Sequence, residues 1–497
     1  MTSDHLYKPM SIHALPITTI ILLALACHPT DEIDDERGSE DSSGTTMSTT
    51  ESPDSNPADG ADSADSADET GELPPSGPCE DAPPPQSDQT GTPTELRTWD
   101  ANVGIVSVAV DNGGNRFIAG RYANTITFGD QVMQAESESS QFVAALTPDG
   151  ELSWFHELSG ERAFVRTVDV DQDGAVYLSG VFSTQVFFDG DLLGDAPGMT
   201  SLSDFPMFAK LDGTTGQLVW FRTMTAEGAN SDSPHILPLD DGGLLFSVAH
   251  RSGLWTFGND APFGTPFGVT LAKIDGDGGL AWRIPIQASL GGFVESAGIV
   301  AVDGLYVGAV ATRDEPAMMS ITVDGEQLSN EHDVTSYLVH VDANGEVVDS
   351  EVVAATSDLQ VRAIAATTCS DLILAGASTS SVDIGGGEIA PGMFVLRRAL
   401  DGSHRWSVTT GLGYVSDLVM DGYGQPTIRS GDRLTTLSAS GELLWSLDYD
   451  IGSMSGGALD PTGGFVLVGD FWTLDIPPLP AMPFDGIPRG HMIDLAP

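Results

Sequence analysis

Three groups of side chains have the types and spacing for chemistry. Asp169-Val170-Asp171-Gln172-Asp173-Gly174 sets alternate carboxylates ahead of a glycine. That arrangement can wrap a hard cation such as calcium, although the EF-hand's bidentate acid is missing, because its position falls on Gly180. The competing reading is a strand running into a hairpin turn. Cys79 and Cys369 can pair in an oxidising compartment. Cys27 stands directly after the apolar run Leu15–Ala26, a position open to modification of its thiol. His235, His250, His340 and His404 are scattered along the chain, as surface or core residues are more often than ligands. No His-Glu-x-x-His, Gly-x-Ser-x-Gly, P-loop or dinucleotide fingerprint is present. No catalytic residue is therefore named from the sequence, and no resident cofactor is expected beyond the calcium candidate.

The elements that must position these groups fall into three stretches. Residues 1–26 carry a 12-residue apolar run, too short for the ~20 residues a membrane-spanning helix needs but suited to an export signal. Residues 27–92 form an acidic, low-complexity linker. Over 28–96 there are 19 acids and one base, a net of −18, and no aromatic residue. Such a tract cannot bury enough apolar surface to offset its ordering entropy, so the expectation is a disordered tether.

Residues 93–497 repeat. A strand, a polar turn and a strand ending in glycine read Val108–Gly120, then Val168–Gly180, with weaker copies beyond. Paired aromatics follow: Tyr122 with Phe128, and Phe182 with Phe188. A hairpin ending in tryptophan completes the unit. Tryptophans 99, 154, 220, 282, 406 and 445 mark its period, with intervals such as 220 − 154 = 66 and 445 − 406 = 39. Four strands in ~40–65 residues make a propeller blade. The chain's last strand-like segment lacks a tryptophan strand, and Thr94–Trp99 is such a strand without a partner. Joining them closes a ring. The expectation is an all-β, seven-bladed β-propeller closed by its N-terminal strand, with six blades as the alternative because the unit before Trp445 is short.

The apolar run, its small terminal residues and Cys27 resemble a bacterial lipoprotein signal. The resemblance implies acylation of Cys27, export and anchoring in the cell envelope, with His28 compatible with the outer membrane. The repeats resemble the bacterial β-propeller repeat family called SBBP, which is defined by architecture and carries no assigned chemistry. Asp212–Trp220 is similar to the tryptophan-docking motif of quinoprotein propellers. That resemblance implies a structural role for Trp99, Trp154, Trp220, Trp282, Trp406 and Trp445.

Charge limits the partners. The chain carries 20 Lys and Arg against 72 Asp and Glu, a net of −52. Nucleic acid is excluded as a partner, since phosphate binding depends on clustered bases. The expected function is a monomeric, non-enzymatic binding platform for a protein or glycan. The alternatives are a hydrolase or lyase acting on an extracellular polymer, and a structural or assembly component of the outer membrane.

Overall fold

The computed structural model describes residues 93–495 apart from loop segments, the longest being 197–203, 314–319, 330–335 and 472–488. The chain divides into two units, Met1–Leu73 and Pro74–Pro497, and every described residue belongs to the second. Cys27, Cys79 and the expected signal and tether lie outside the described residues. Among the described residues all regular structure is β-strand, and there is no helix long and apolar enough to cross a membrane.

Seven antiparallel four-stranded meanders form the blades. The first runs Val103–Val110, Arg116–Tyr122, Ser140–Leu146 and Leu152–Ser159, from innermost to outer strand. The last takes three strands, Gly452–Leu459, Phe465–Phe471 and Arg489–Leu495, from the end of the chain. Its fourth is Pro93–Ala101, paired antiparallel with Leu96 opposite Ile493 and Thr98 opposite His491. The ring therefore closes as expected, with seven blades. The short unit is a full sixth blade, Val415–Met420, Pro426–Ser430, Arg433–Leu437 and Leu443–Asp448. It is short because only two residues separate its second and third strands.

The paired aromatics have a different job from blade strands. In the second blade, Gln185–Phe188 and Asp191–Asp195 form a hairpin that adds to the outer strand of the first, Phe187 opposite Ser159. The third and fourth blades repeat this, so the first three sheets reach six strands. Phe188 stacks on His156 of the preceding blade with centroids 4.9 Å apart.

Six of the seven innermost strands carry a β-bulge at the same place, for example between Val165 and Thr167 and between Val415 and Asp417. The bulge turns the inner strand's carbonyl into its neighbour. A Cβ on Gly120, Gly180 or Gly376 would come within 2.2 Å of that carbonyl oxygen. This close approach accounts for the glycine that ends the repeated second strand.

Candidate functional site

The seven innermost strands surround a central channel. In a meander, the turn between strands one and two and the turn between three and four emerge on one face. Aspartates lead most of them: Asp111, Asp171, Asp240, Asp303 and Asp421 near the channel, and Asp149, Asp212, Asp275, Asp342 and Asp401 farther out. Many are structural. Asp111 Oδ1 accepts the amides of Gly113 and Asn115 at 2.8 Å each. Such bonds stabilise the ionised form, and those from Thr215, Glu346 and Ser403 hold Asp212, Asp342 and Asp401 below the usual carboxylate range. The turns keep their shape and their charge together.

The channel mouth on this face is apolar. A cavity of about 400 Å³ there is lined by Leu237, Leu239, Val300, Ala365, Val419 and Met420, with Asp240 at its edge. It adjoins a second cavity of about 550 Å³ along Leu418 and Val419, which line both. The second cavity holds Arg166, Asp169, His235, Asp417 and Arg429.

Matching the blades by strand register shows how unusual these residues are. At the level of Asp169, opposite Tyr177, the other six blades place Ala109, Leu237, Val300, Ala365, Val419 and Ala458. One carboxylate thus sits in an otherwise apolar ring. Burial pushes it up to about 6, Asp171 adds to the rise, and the Val170 amide at 2.8 Å opposes it. One level farther from the turns, His235 and Asp417 occupy positions that are Ser107, Thr167, Gly298, Ala363 and Gly456 elsewhere. Burial raises Asp417, opposed by Arg429, whose Nη2 lies 3.9 Å away. Burial lowers His235, opposed by a backbone hydrogen bond at Ser296 and by the charge of Asp417. His235 is exposed to the channel cavity.

At the far mouth Arg362 is committed. It reaches Glu295 Oε2 and Gln360 Oε1 at 2.5 Å each and lies 4.6 Å over the Tyr414 ring. Arg166, in the bulge of the second blade, makes no ion pair among the described residues and lies 5.4 Å over Phe164.

The structure separates the carboxylates of the calcium candidate. Asp169 faces the channel, while Asp171 is bound into its turn by the amides of Asp173 and Ala175 and by the Tyr177 hydroxyl at 3.0 Å. Asp173 is exposed. Among the described residues no three His, Cys, Asp or Glu side chains are placed to hold a metal ion. The four histidines named from sequence also stay apart. His250 is buried against Thr270 Oγ1 at 2.9 Å and lowered to about 4 by burial. His340 lies 3.6 Å from Glu351, and His404 lies 3.1 Å from Ser407. Cys369 is disulfide-bonded.

Four of the six tryptophans lock one blade to the next. The indoles of Trp154, Trp220, Trp282 and Trp406 donate to the carbonyls of Gly213, Gly276, Ala343 and Ala439, at 2.7–3.2 Å. Each ring covers a positive-φ glycine of the same turn (Gly216, Gly278, Gly345, Gly441), where a Cβ would fall within 3.0 Å of it. Trp99 departs from this pattern. Register places Glu95 at the tryptophan position of the closing blade, and Arg97 donates to Asp149 O at 2.8 Å and covers Gly150. Trp99 lies four residues beyond that position and packs on Phe128 at 5.9 Å. Trp445 is half-buried against an apolar cluster that includes Leu434 and Leu495. The fourth blade, without a tryptophan, uses Glu351, which accepts from Arg398 at 2.7 Å through both oxygens.

No protein-family profile matches the chain. No curated protein matches it either. Solved structures do. The Dos1 propeller aligns with 82% of this chain and 96% of its own, at 8% identity and a TM-score of 0.42. The WD40 β-propeller domain of Doa1 aligns with 80% and 96%, at 11% identity and 0.37. A chain of the Mitotic Checkpoint Complex aligns with 81% and 94%, at 13% identity and 0.39. At these identities the likeness is one of fold alone.

Proposed function

We propose that this chain is a lipid-anchored protein of the bacterial cell envelope whose propeller docks a cationic protein partner on its Asp-turn face. The observation that carries the reading is the ring of ionised aspartates around an apolar channel mouth. Charge steers a basic partner to that face, and the mouth supplies a buried contact at its centre. In this reading Cys27 is acylated, residues 28–92 act as the tether, and Cys79 pairs with Cys369.

Photo-cross-linkers at Gly174 and Gly304 on the turn face, and at Asn124 and Glu161 on the opposite face, test the docking in cells. Partner adducts from the first pair alone support it, and adducts from the second pair alone overturn it. Labelling with an alkyne fatty acid, lost in Cys27→Ser, tests the anchor separately.

A second reading is hydrolysis or elimination on an extracellular polymer within the channel. It is favoured by Asp169, a carboxyl titrating near neutrality in a cavity shared with His235 and Asp417. Turnover of a glycan or ester library, abolished by Asp169→Asn, would establish it.

A further inference from the structure

The docking reading leaves open what enters the channel. Asp169 and Asp240 narrow the choice. Asp169 lies two residues before the turn that begins at Asp171, so it sits about 7 Å below the rim at a strand rise of ~3.3 Å per residue. Its carboxylate accepts one hydrogen bond, from the amide of Val170, and no cation pairs with it among the described residues. Asp240 borders the cavity at the rim of the next blade, is exposed, and has no ion pair among the described residues. The ring at the level of Asp169 is hydrocarbon, with Leu237, Val300, Ala365 and Val419, and Leu239 and Met420 continue it toward the rim. Acid within the channel, apolar wall and acid at the rim are the complement of an alkyl chain with an ammonium at its end.

We infer that the channel mouth on the Asp-turn face binds a primary alkylammonium group, with Asp169 as its buried counter-ion, the apolar ring around its stem, and Asp240 holding a second cationic group at the rim. A free α,ω-diamine has this chemistry, and so does a lysine side chain of a docked protein. A lysine stem of about 6 Å fits the depth. Burying a lone carboxylate in an apolar ring is costly unless a cation neutralises it, which gives the ligand its binding free energy. Arg166 and Arg429 share the cavity but do not contribute to the shift at Asp169.

The test is calorimetric titration of the full chain with 1,5-diaminopentane and, in parallel, with Nα-acetyl-lysine amide. Saturable one-to-one binding is expected, weakened at least tenfold by Asp169→Asn and about threefold by Asp240→Asn. Glu161→Gln, on the opposite face, should change nothing. In the unmutated protein, carboxyl NMR should show the Asp169 titration moving downward when diamine is added, a readout that needs no variant. Tighter binding of the diamine assigns the site to a free amine, and tighter binding of the lysine amide assigns it to a protein lysine. No binding of either probe, or binding undiminished in Asp169→Asn, overturns the inference. It builds on the turn-face reading, but the two can fail separately: cross-links from Gly174 without amine binding would sink only this site, and amine binding with cross-links from Glu161 alone would sink only the docking face.

Discussion

The first three blades and the fifth and sixth solve the same problem differently. The early blades each borrow a hairpin from the next one and reach six strands, with aromatic rings sandwiched at the joint. Trp255, fully buried on such a hairpin, packs on His250 at 5.4 Å and Phe205 at 6.4 Å. The sixth blade has no hairpin to lend, so the fifth stays at four strands and uses side-chain locks: Trp406 and Arg397, the latter also paired with Asp371 of its own blade, both donate to Ala439 O. Between the fourth and fifth blades the lock is the Glu351–Arg398 pair. Apolar clusters are buried on both sides, but the early side adds shared hairpins with their aromatic rings and the later side adds polar side-chain locks. The later, polar side should respond to loss of a charged partner, and the early, apolar side to truncation.

Four measurements sharpen that contrast. The largest effect belongs to the apolar side: Trp255→Ala should cost about 4 kcal/mol in denaturant unfolding, through the cavity it leaves. Next comes Glu351→Ala, which strands the buried Arg398 and should cost about 3 kcal/mol, with little rescue by salt. Asp169→Asn should act in the opposite direction. The folded value near 6 lies above the ordinary 3.8, so this site's contribution is full below pH about 4 and lost as pH rises through about 6. The variant should therefore be more stable than the parent at pH 8, by about 1–2 kcal/mol after allowance for channel water, with the difference vanishing near pH 4. Smallest is Trp406→Phe, which removes one indole hydrogen bond and should cost about 1 kcal/mol. Equal losses for Trp255→Ala and Trp406→Phe would erase the distinction between the two sides.

Much of this was legible in the residues, for reasons that differ by level. Asp-Gly and Asn-Gly turns and the tryptophan period report local geometry, so the seven blades and their closure could be read directly. Trp99 misled because an aromatic near the right place looked like the repeat's tryptophan. A bulge between Pro93 and Glu95 sets the register, and Arg97 takes the docking role. The paired aromatics were visible as a pattern, but their transfer to the preceding blade was not, because strand addition between units leaves no spacing signal. In sequence Asp169 stands out by its neighbours, whereas its significance lies in its equivalents around the ring. Setting Asp169 beside Ala109, Val300 and Ala365, and Asp417 beside Gly298 and Gly456, exposes the channel's polar residues, and only a register for all seven blades makes that alignment secure.

The closed ring underlies the channel, the turn face and the comparison between blades. Hydrogen exchange measured amide by amide reads it most directly. If Pro93–Ala101 is the outer strand of the last blade, those of its amides that bond Arg489–Leu495 should exchange as slowly as the amides of Met492–Leu495 and open with them in one cooperative step. Exchange of those bonded amides at the rate of an unstructured peptide, with Arg489–Leu495 still protected, would contradict it.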